Sequence, residues 1–519
     1  HARESNPGAG GQRFRKPSEC ATFNFPRFRN TDRVHSVMNP ISFFFISLII
    51  SERYSDLKII EEKSKYSLSG SFFDWRGKRA LRRPVFKQRD IFLSRISTRF
   101  EYIATTDIRS FYHSIPANAV PKSIHASRYK KDNLRLYGVK IETLLRNAQG
   151  GQTVGLPVGP DTSRILAEVV AASIDADLEN SVSLSELDVS RFVDDYTIGC
   201  NSIAEGRRYI AEVRRISAAR GLDIGGEKTF IRETDHLEYV GWQENIIKHI
   251  TKPMSDDDIK VLLYVIRGMN ESHKNLNIGN FSMQQCRSIF VRAKDWNFLQ
   301  EHIIATYRQN STVIDSMVEI FLLRQKEVGD LDLVVIGDFV SSRLPVLAEE
   351  HRTGEIIWLL YMCVSLKVKL KAKSFTAVSQ IANSLVALLA TSMNSSNLID
   401  GDVDFSIWKG SIIRGGLETG MWLYIYELAM GGIGAAEVEA ARKLISGDPF
   451  YAVLMSLGVR LFKIGQSDVS LSATLRERMI ENKITLLQGG GEATENEYNA
   501  DISYGGDLVL EEDDVEDGY

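Results

Sequence analysis

Two strand-like apolar runs, Val189–Val193 and Tyr196–Cys200, close on an adjacent pair of acids, Asp194 and Asp195. Charged groups between two apolar strands belong at the tip of a hairpin, where they escape the core that the flanks enter. An isolated Asp-Asp pair is usually a solvated turn. Here a third run, Tyr102–Asp107, also ends in a carboxylate, and pairing it beside the hairpin brings three acids to one sheet edge. That is the oxygen-rich set with which two Mg²⁺ ions support in-line phosphoryl transfer. Between residues 39 and 242 such strands alternate with helical spacing at Thr162–Leu178 and Ala204–Arg220, so this part is α+β or α/β.

Between the acids lies Gly155-Leu156-Pro157-Val158-Gly159-Pro160, which must be a loop, followed by an amphipathic helix from Asp161. A loop entering a helix N-terminus can present backbone N–H groups to a polyanion or a base pair. From about residue 256 the pattern changes to successive helical segments, expected at 257–268, 281–295, 312–326, 331–347, 354–371, 375–393, 434–446, 450–463 and 470–487. Their spacing suggests paired helices stacked as a solenoid or bundle. The expected organisation is a multidomain α+β chain: residues 1–37 an extension (a natural basic arm or an appended remnant, with Met38 an alternative start), 38–250 a mixed domain, 251–488 an all-α helical-repeat domain, and 489–519 a flexible acidic tail.

Charge supports that division. The net charge of −4 over 519 residues hides eleven acids after residue 490 and no Lys or Arg after Lys483, so the rest of the chain is net basic and compatible with a polyanionic partner. Four widely spaced cysteines encode neither a disulfide framework nor a zinc knuckle and fit a reducing, cytoplasmic setting. The apolar run Ile41–Ile50 is too short to cross a bilayer, so no membrane partner is expected.

These motifs, in this order, resemble a reverse transcriptase. Asp107–Tyr112 (DIRSFY) is similar to motif A, Gly155–Ala167 (GLPVGPDTSRILA) to motif B, Phe192–Asp195 (FVDD) to motif C, Gly221–Thr229 (GLDIGGEKT) to motif D, and Leu237–Trp242 (LEYVGW) to motif E. The resemblance implies a fingers–palm unit acting as an RNA-directed DNA polymerase with two Mg²⁺ ions. It gives Asp107, Asp194, Asp195 and the Ile108 carbonyl to the metals. Tyr112 becomes the gate that selects dNTP over NTP, and Lys228 the general acid or counter-charge at the triphosphate. Gly155, Pro157, Gly159 and Ser163 would meet the nascent base pair, and the basic block Arg76–Arg89, through Arg82 and Arg83, the triphosphate or template.

One departure concerns motif B, where Val158 stands in place of a Gln that many relatives carry. The form G-L-P-x-G-x-x-x-S-R-x-L-A-E, complete through Glu168, together with a helical C-terminal part, is most similar to bacterial abortive-infection and unknown-group defence reverse transcriptases. That subtype implies a HEAT-like helical domain, antiphage defence, an RNA template or associated non-coding RNA, a homo-oligomer, and a DNA product open to covalent attachment at a tail tyrosine: Tyr498, Tyr504 or Tyr519. Alternatives are a catalytically secondary RNA-binding scaffold and a group II intron or retron-like enzyme without the defence role. A weaker one is a ribonuclease built on the Arg267 and His273 spacing.

Overall fold

The computed structural model describes residues 17–27, 31–73, 80–82, 86–182, 184–186, 188–234, 246–250, 254–272, 277–431 and 435–462. Its centre is a four-stranded antiparallel sheet of β3 (Tyr102–Asp107), β4 (Val189–Phe192), β5 (Asp195–Cys200) and β6 (Phe230–Glu233), in the order β4-β5-β3-β6. Ala104, Tyr196, Ile198 and Cys200 are buried in the core beneath it, while Ile103 is buried in a small cluster with Phe92 and Ile96. The long helix Asp161–Ser181 packs against this unit and is buried on most sides, including Ile165, Leu166, Val169, Val170, Ile174 and Leu178. Its first residue is acidic, which favours a helix N-terminus. The amphipathic helix Ile203–Ala218, capped by Ser202 accepting from the Glu205 N–H at 3.2 Å, covers β3 and β5.

Before the sheet come helices Pro40–Glu52, Tyr54–Glu61 and Phe86–Ser97, and between β3 and the long helix lie Phe111–Ser114, Ala119–His125 and Tyr137–Asn147. Apolar side chains divide into two large cores. One runs from Met38 to Ile224 and underlies the sheet; the other is formed mainly by helices between Ile246 and Tyr451, joined by Ala21 and Phe25. No described helix is long and apolar enough to cross a membrane.

The helical part begins with Asp256–Ser272 and ends, among the described residues, with Pro449–Ser456. Its helices run from five residues at Ser406–Gly410 to seventeen at Leu333–Glu349, joined by short 3₁₀ turns and a two-residue parallel pair, Leu370–Lys371 with Ile399–Asp400. Thr353–Leu366 is central, packing on Ile314–Glu327, Leu333–Glu349 and Ser384–Ser395. It ends at Leu366 because Lys367 takes a left-handed φ of 57°, so the expected 354–371 is too long. The expected 281–295 breaks into Ile278–Gln285 and Arg287–Arg292, and the expected 375–393 starts only at Ser384, where Asn383 caps it. Among the described helices, Trp296–Gln309, Ser406–Gly410 and Trp422–Gly431 had no counterpart in the expectation. Trp296–Gln309 has a regular buried stripe, whereas Trp422–Gly431 is buried on nearly every side and so carries no amphipathic period. The segment 470–487 lies outside the described residues.

Residues expected to be a mere extension are part of the fold. Ala21–Arg27 (β1) and Thr31–Val37 (β2) form an antiparallel hairpin, with Ala21 paired to Val37. Ala21 and Phe25 belong to the helical core, and the Asn24 N–H donates to Thr353 Oγ1 at 2.9 Å. On the other side the Ser36 N–H donates to the Val158 carbonyl at 2.8 Å, and the Ser18 N–H to that of Asn147 at 2.6 Å. The hairpin therefore ties the helical part to the mixed part. Fixing seventeen residues in this way needs burial at both ends, which the first sixteen residues of an arm do not reveal by themselves.

Candidate active site

The acidic edge is built by strand register. Asp107, the last residue of β3, pairs with Asp195, the first of β5, while Phe192 of β4 pairs with the same Asp195 across the two-residue turn Val193-Asp194. Val193 has a φ of 55°, an uncommon conformation for a β-branched residue. The turn is held from outside: the Ile108 N–H donates to the Asp194 carbonyl at 3.1 Å, and the Val193 N–H to Ser69 Oγ at 2.8 Å. Alternating strand geometry thus delivers Asp107 and Asp195 side by side and puts Asp194 at the tip.

The loop after the helix Ile203–Ala218 closes over this edge. Ile108 bridges Ile224, the Arg109 N–H donates to the Asp223 carbonyl at 2.9 Å, and the Gly225 N–H to that of Asp107 at 2.8 Å. Only glycine fits at 225, since a Cβ there would fall 2.1 Å from Asp107 Oδ1. The loop brings Lys228 Nζ to 3.7 Å from both Asp107 Oδ2 and Asp195 Oδ1. Lys228 keeps 41% of its side-chain exposure, against 14% for Asp107 and 19% for Asp195, so the ammonium enters from the solvent side.

Burial of three acids together has an electrostatic consequence. Desolvation pushes the Asp194 carboxyl up to about 6, opposed by Lys228 and reinforced by Asp107. Asp195 is held well above the ordinary carboxylate range, first by burial and then by Asp194. Arg33 of β2 acts against the rise at Asp194, and Arg89 against that at Asp195. Among the described residues no three His, Cys, Asp or Glu side chains converge as a complete ion cage. Mg²⁺ is commonly held by one or two carboxylates and completed by substrate phosphates and water. Asp107 Oδ1 is buried without a hydrogen-bond partner, and the Lys228 ammonium already lies between its other oxygen and Asp195, so this donor set fits a divalent ion arriving with substrate.

Tyr112 lies on the short helix Phe111–Ser114, its ring packed edge-on to Phe111 at 5.8 Å and half-buried against the sheet core. Its carbonyl accepts from the Leu156 N–H at 2.7 Å, which ties the loop Gly155–Gly159 to the backbone at Tyr112. Gly155 has a φ of 98° and its N–H donates to Ile115, a turn an L side chain would strain. Leu156 and Val158 are buried, and Val158 gives its carbonyl to the hairpin residue Ser36. Pro157 and Gly159 complete this loop, and Ser163, one turn into the following helix, is buried with no hydrogen-bond partner for its hydroxyl. Arg82 approaches through its backbone: its carbonyl accepts from Arg164 at 2.5 Å. Arg83, the motif E residues Leu237–Trp242, His273, and Tyr498, Tyr504 and Tyr519 lie outside the described residues.

Sequence reasoning missed the group directly beneath the turn. Arg191 has no exposed side-chain surface and lies between two carboxylates of the long helix. Its Nη2 and Nη1 donate to Glu168 at 2.7 and 3.1 Å, its Nε to Asp175 at 2.8 Å, and its Nη1 also to the Val193 carbonyl at 2.7 Å. The signal was present in the sequence as an arginine inside the apolar run Val189–Val193. Such a residue must be paired if it is buried.

The reverse transcriptase (RNA-dependent DNA polymerase) family profile matches residues 54–243. These residues are a reverse transcriptase domain. The family is one of RNA-directed DNA polymerases, a class of nucleotidyltransferase. Among solved structures, it is similar to apo telomerase from Candida tropicalis truncated from its C-terminal domain, at 15% identity and a TM-score of 0.31, over 44% of this chain and 53% of that one. Apo telomerase from Candida tropicalis matches at 12% identity and 0.33, over 72% and 69% of the two chains. Telomerase from Candida albicans in complex with the TWJ fragment of telomeric RNA matches at 12% and 0.29, over 72% and 64%. The chain spans about half the length of the first of these. No curated protein matches the chain.

Proposed function

We propose that the reverse transcriptase domain copies an RNA template into DNA, adding dNTPs at the edge formed by Asp107, Asp194 and Asp195. The observation that carries this reading is the register pairing Asp107 with Asp195 under a lysine that spans both carboxylates. Asp107, Asp194 and the Ile108 carbonyl would hold two divalent ions, with Asp195 nearby. When bound, those ions supply charge neutralisation at the attacking and leaving oxygens. Lys228 stands on the open side of the carboxylates, where it neutralises the triphosphate and can give a proton to the departing pyrophosphate. Tyr112, held against Leu156, blocks the space beside the sugar 2′ position. Arg33 and Arg89 give the approach a positive field that draws in polyanions.

The defence-associated subtype is the finer reading, supported by the G-L-P-V-G form of the loop and by the helical residues 256–456 joined to the domain. In it the helical part binds RNA or builds a homo-oligomer, and a tail tyrosine is available as primer. Primer extension on an RNA template with Mg²⁺ and dNTPs, compared between the native chain and Asp194→Asn, tests the catalytic reading. Synthesis by native protein that the variant loses supports it, and undiminished synthesis by Asp194→Asn removes the site assignment.

A further inference from the structure

The catalytic turn rests on a buried ionic network that the reaction itself does not use. Arg191, in β4, has its guanidinium enclosed by Glu168 and Asp175 of the long helix, and the surrounding hydroxyls complete the set. Ser67 Oγ donates to Glu168 at 2.6 Å, Ser64 Oγ to Asp175 at 2.5 Å, and Tyr196 Oη to the other oxygen of Asp175 at 2.7 Å. The backbone joins in as well, since the Arg191 N–H donates to the Tyr66 carbonyl at 2.7 Å and the Leu68 N–H to that of Arg191 at 2.8 Å. Three separate pieces of chain, residues 64–69, the long helix and the β4–β5 hairpin, therefore meet at one guanidinium.

Taking an arginine and two carboxylates out of water is costly, and apolar side chains of similar volume often serve stability equally well. What apolar groups cannot do is hold a particular carbonyl. One arm of Arg191 reaches past Glu168 to the Val193 carbonyl, while Ser69, from the 64–69 segment, accepts from the N–H of the same residue. Val193 is thus gripped at both its polar atoms in a left-handed conformation that its branched side chain disfavours. The next residue is Asp194.

We infer that Arg191 is a positioning residue for the metal-binding edge: with Glu168, Asp175 and Ser69 it holds the strained Val193 turn that aims Asp194. This rests on the polymerase reading above, because it gives the turn its purpose. Ligand-supporting groups behind a metal site characteristically tune affinity for the ion without touching it.

Two readouts on the full chain test this: Mn²⁺ affinity by electron paramagnetic resonance without nucleotide, and single-turnover dNTP incorporation. Arg220→Met is the control, since Arg220 also ties the long helix to its neighbour, through Ser173 and Asp177, but does not touch the hairpin. Arg191→Met should weaken Mn²⁺ binding by about tenfold or more and slow incorporation by about 100-fold, well beyond Arg220→Met, while the KM for dNTP changes little. Adding Val193→Gly should restore part of both losses, because glycine adopts the left-handed turn without being gripped. Should Arg191→Met fail to fold, Ser69→Ala, which removes only the second grip, is expected to move both readouts in the same direction by less. Parity of Arg191→Met with Arg220→Met, no recovery with Val193→Gly, or native values for Ser69→Ala would each overturn the positioning role. Equal Mn²⁺ binding by native protein and Asp194→Asn would instead overturn the polymerase site on which the role depends.

Discussion

Gly225→Ala is the smallest change expected to disable the acidic edge. A Cβ at this position would lie 2.1 Å from Asp107 Oδ1, 3.0 Å from its Cγ and 3.3 Å from Oδ2, so the whole carboxylate is in its way. Ordinary contact needs more than 3 Å, and the gap can open only by moving Asp107 or the 223–225 loop by about 1 Å. The loop is not free to give, because the Gly225 N–H is bonded to the Asp107 carbonyl at 2.8 Å and Thr229 Oγ1 donates to the Gly225 carbonyl. The carboxylate, with one oxygen unpartnered, is the softer element. Displacing a reacting group by 1 Å costs about 100-fold in rate, or about 2.7 kcal/mol in the barrier. Single-turnover incorporation measured beside the thermal midpoint separates this from unfolding. Gly226→Ala is the control, since a Cβ there meets nothing within 4 Å. A Gly225→Ala protein that incorporates dNTP at the native rate would show that Asp107 need not stand where it does, and the reasoning fails.

The raised Asp194 carboxyl makes metal stabilisation pH-dependent. An unfolded aspartate loses its proton near its ordinary value of 3.8 while the folded one holds it to about 6, so the ion-free protein loses stability as pH climbs through that window; a bound divalent ion offsets the loss. The rise in melting temperature with Mn²⁺ should be large at about pH 7.5 and small at about pH 5, and an equal rise at both would contradict it. Tyr112→Val should lower the preference for dNTP over NTP by about 10- to 100-fold, by opening the space beside Leu156; competition between dNTP and NTP on one template reads this directly. Phe25→Ala removes a ring buried in the helical core from the N-terminal hairpin and should destabilise the chain by about 3 kcal/mol in chemical denaturation, whereas a true surface extension would leave stability unchanged.

Most of the acidic edge was legible because strands write their geometry locally. Strands β4 and β5 are buried at successive positions on both faces, so the acids Asp194 and Asp195 that break the apolar sequence fall at the tip between them. The register that sets Asp107 against Asp195 is seen only once β3 joins the same sheet, since Ile103 and Ala104 are both buried and no one-sided alternation fixes it. Gly225 was quoted within its motif, yet its reason is a contact with a side chain more than a hundred residues away, which no local pattern encodes. Arg191 was hidden differently. An arginine within a strand reads as a solvated edge until its partners are known, and Glu168 and Asp175 look like the polar face of an amphipathic helix until another element covers them.

The N-terminal hairpin shows where local reading must fail. Its sequence, from Ala21 to Val37, mixes a few apolar residues with many polar and charged ones, too few to form a core alone. Its order comes from partners more than three hundred residues downstream: Thr353 at Asn24, Asn383 donating to the Thr22 carbonyl at 2.6 Å, and Arg352 at 3.4 Å from Asp32. A two-stranded ribbon of this kind is marginal in water, so it forms only where both faces are engaged. One face meets the helical core and the other the Gly155–Gly159 loop, through Ser36 and Val158. Position 158 is where the side chain departs from the common form of the motif, and here its carbonyl is committed to the hairpin. The same strand brings Arg33 into the field of Asp194. Residues expected to be a mere extension thus shape the Gly155–Gly159 loop and the charge at the Asp194 turn.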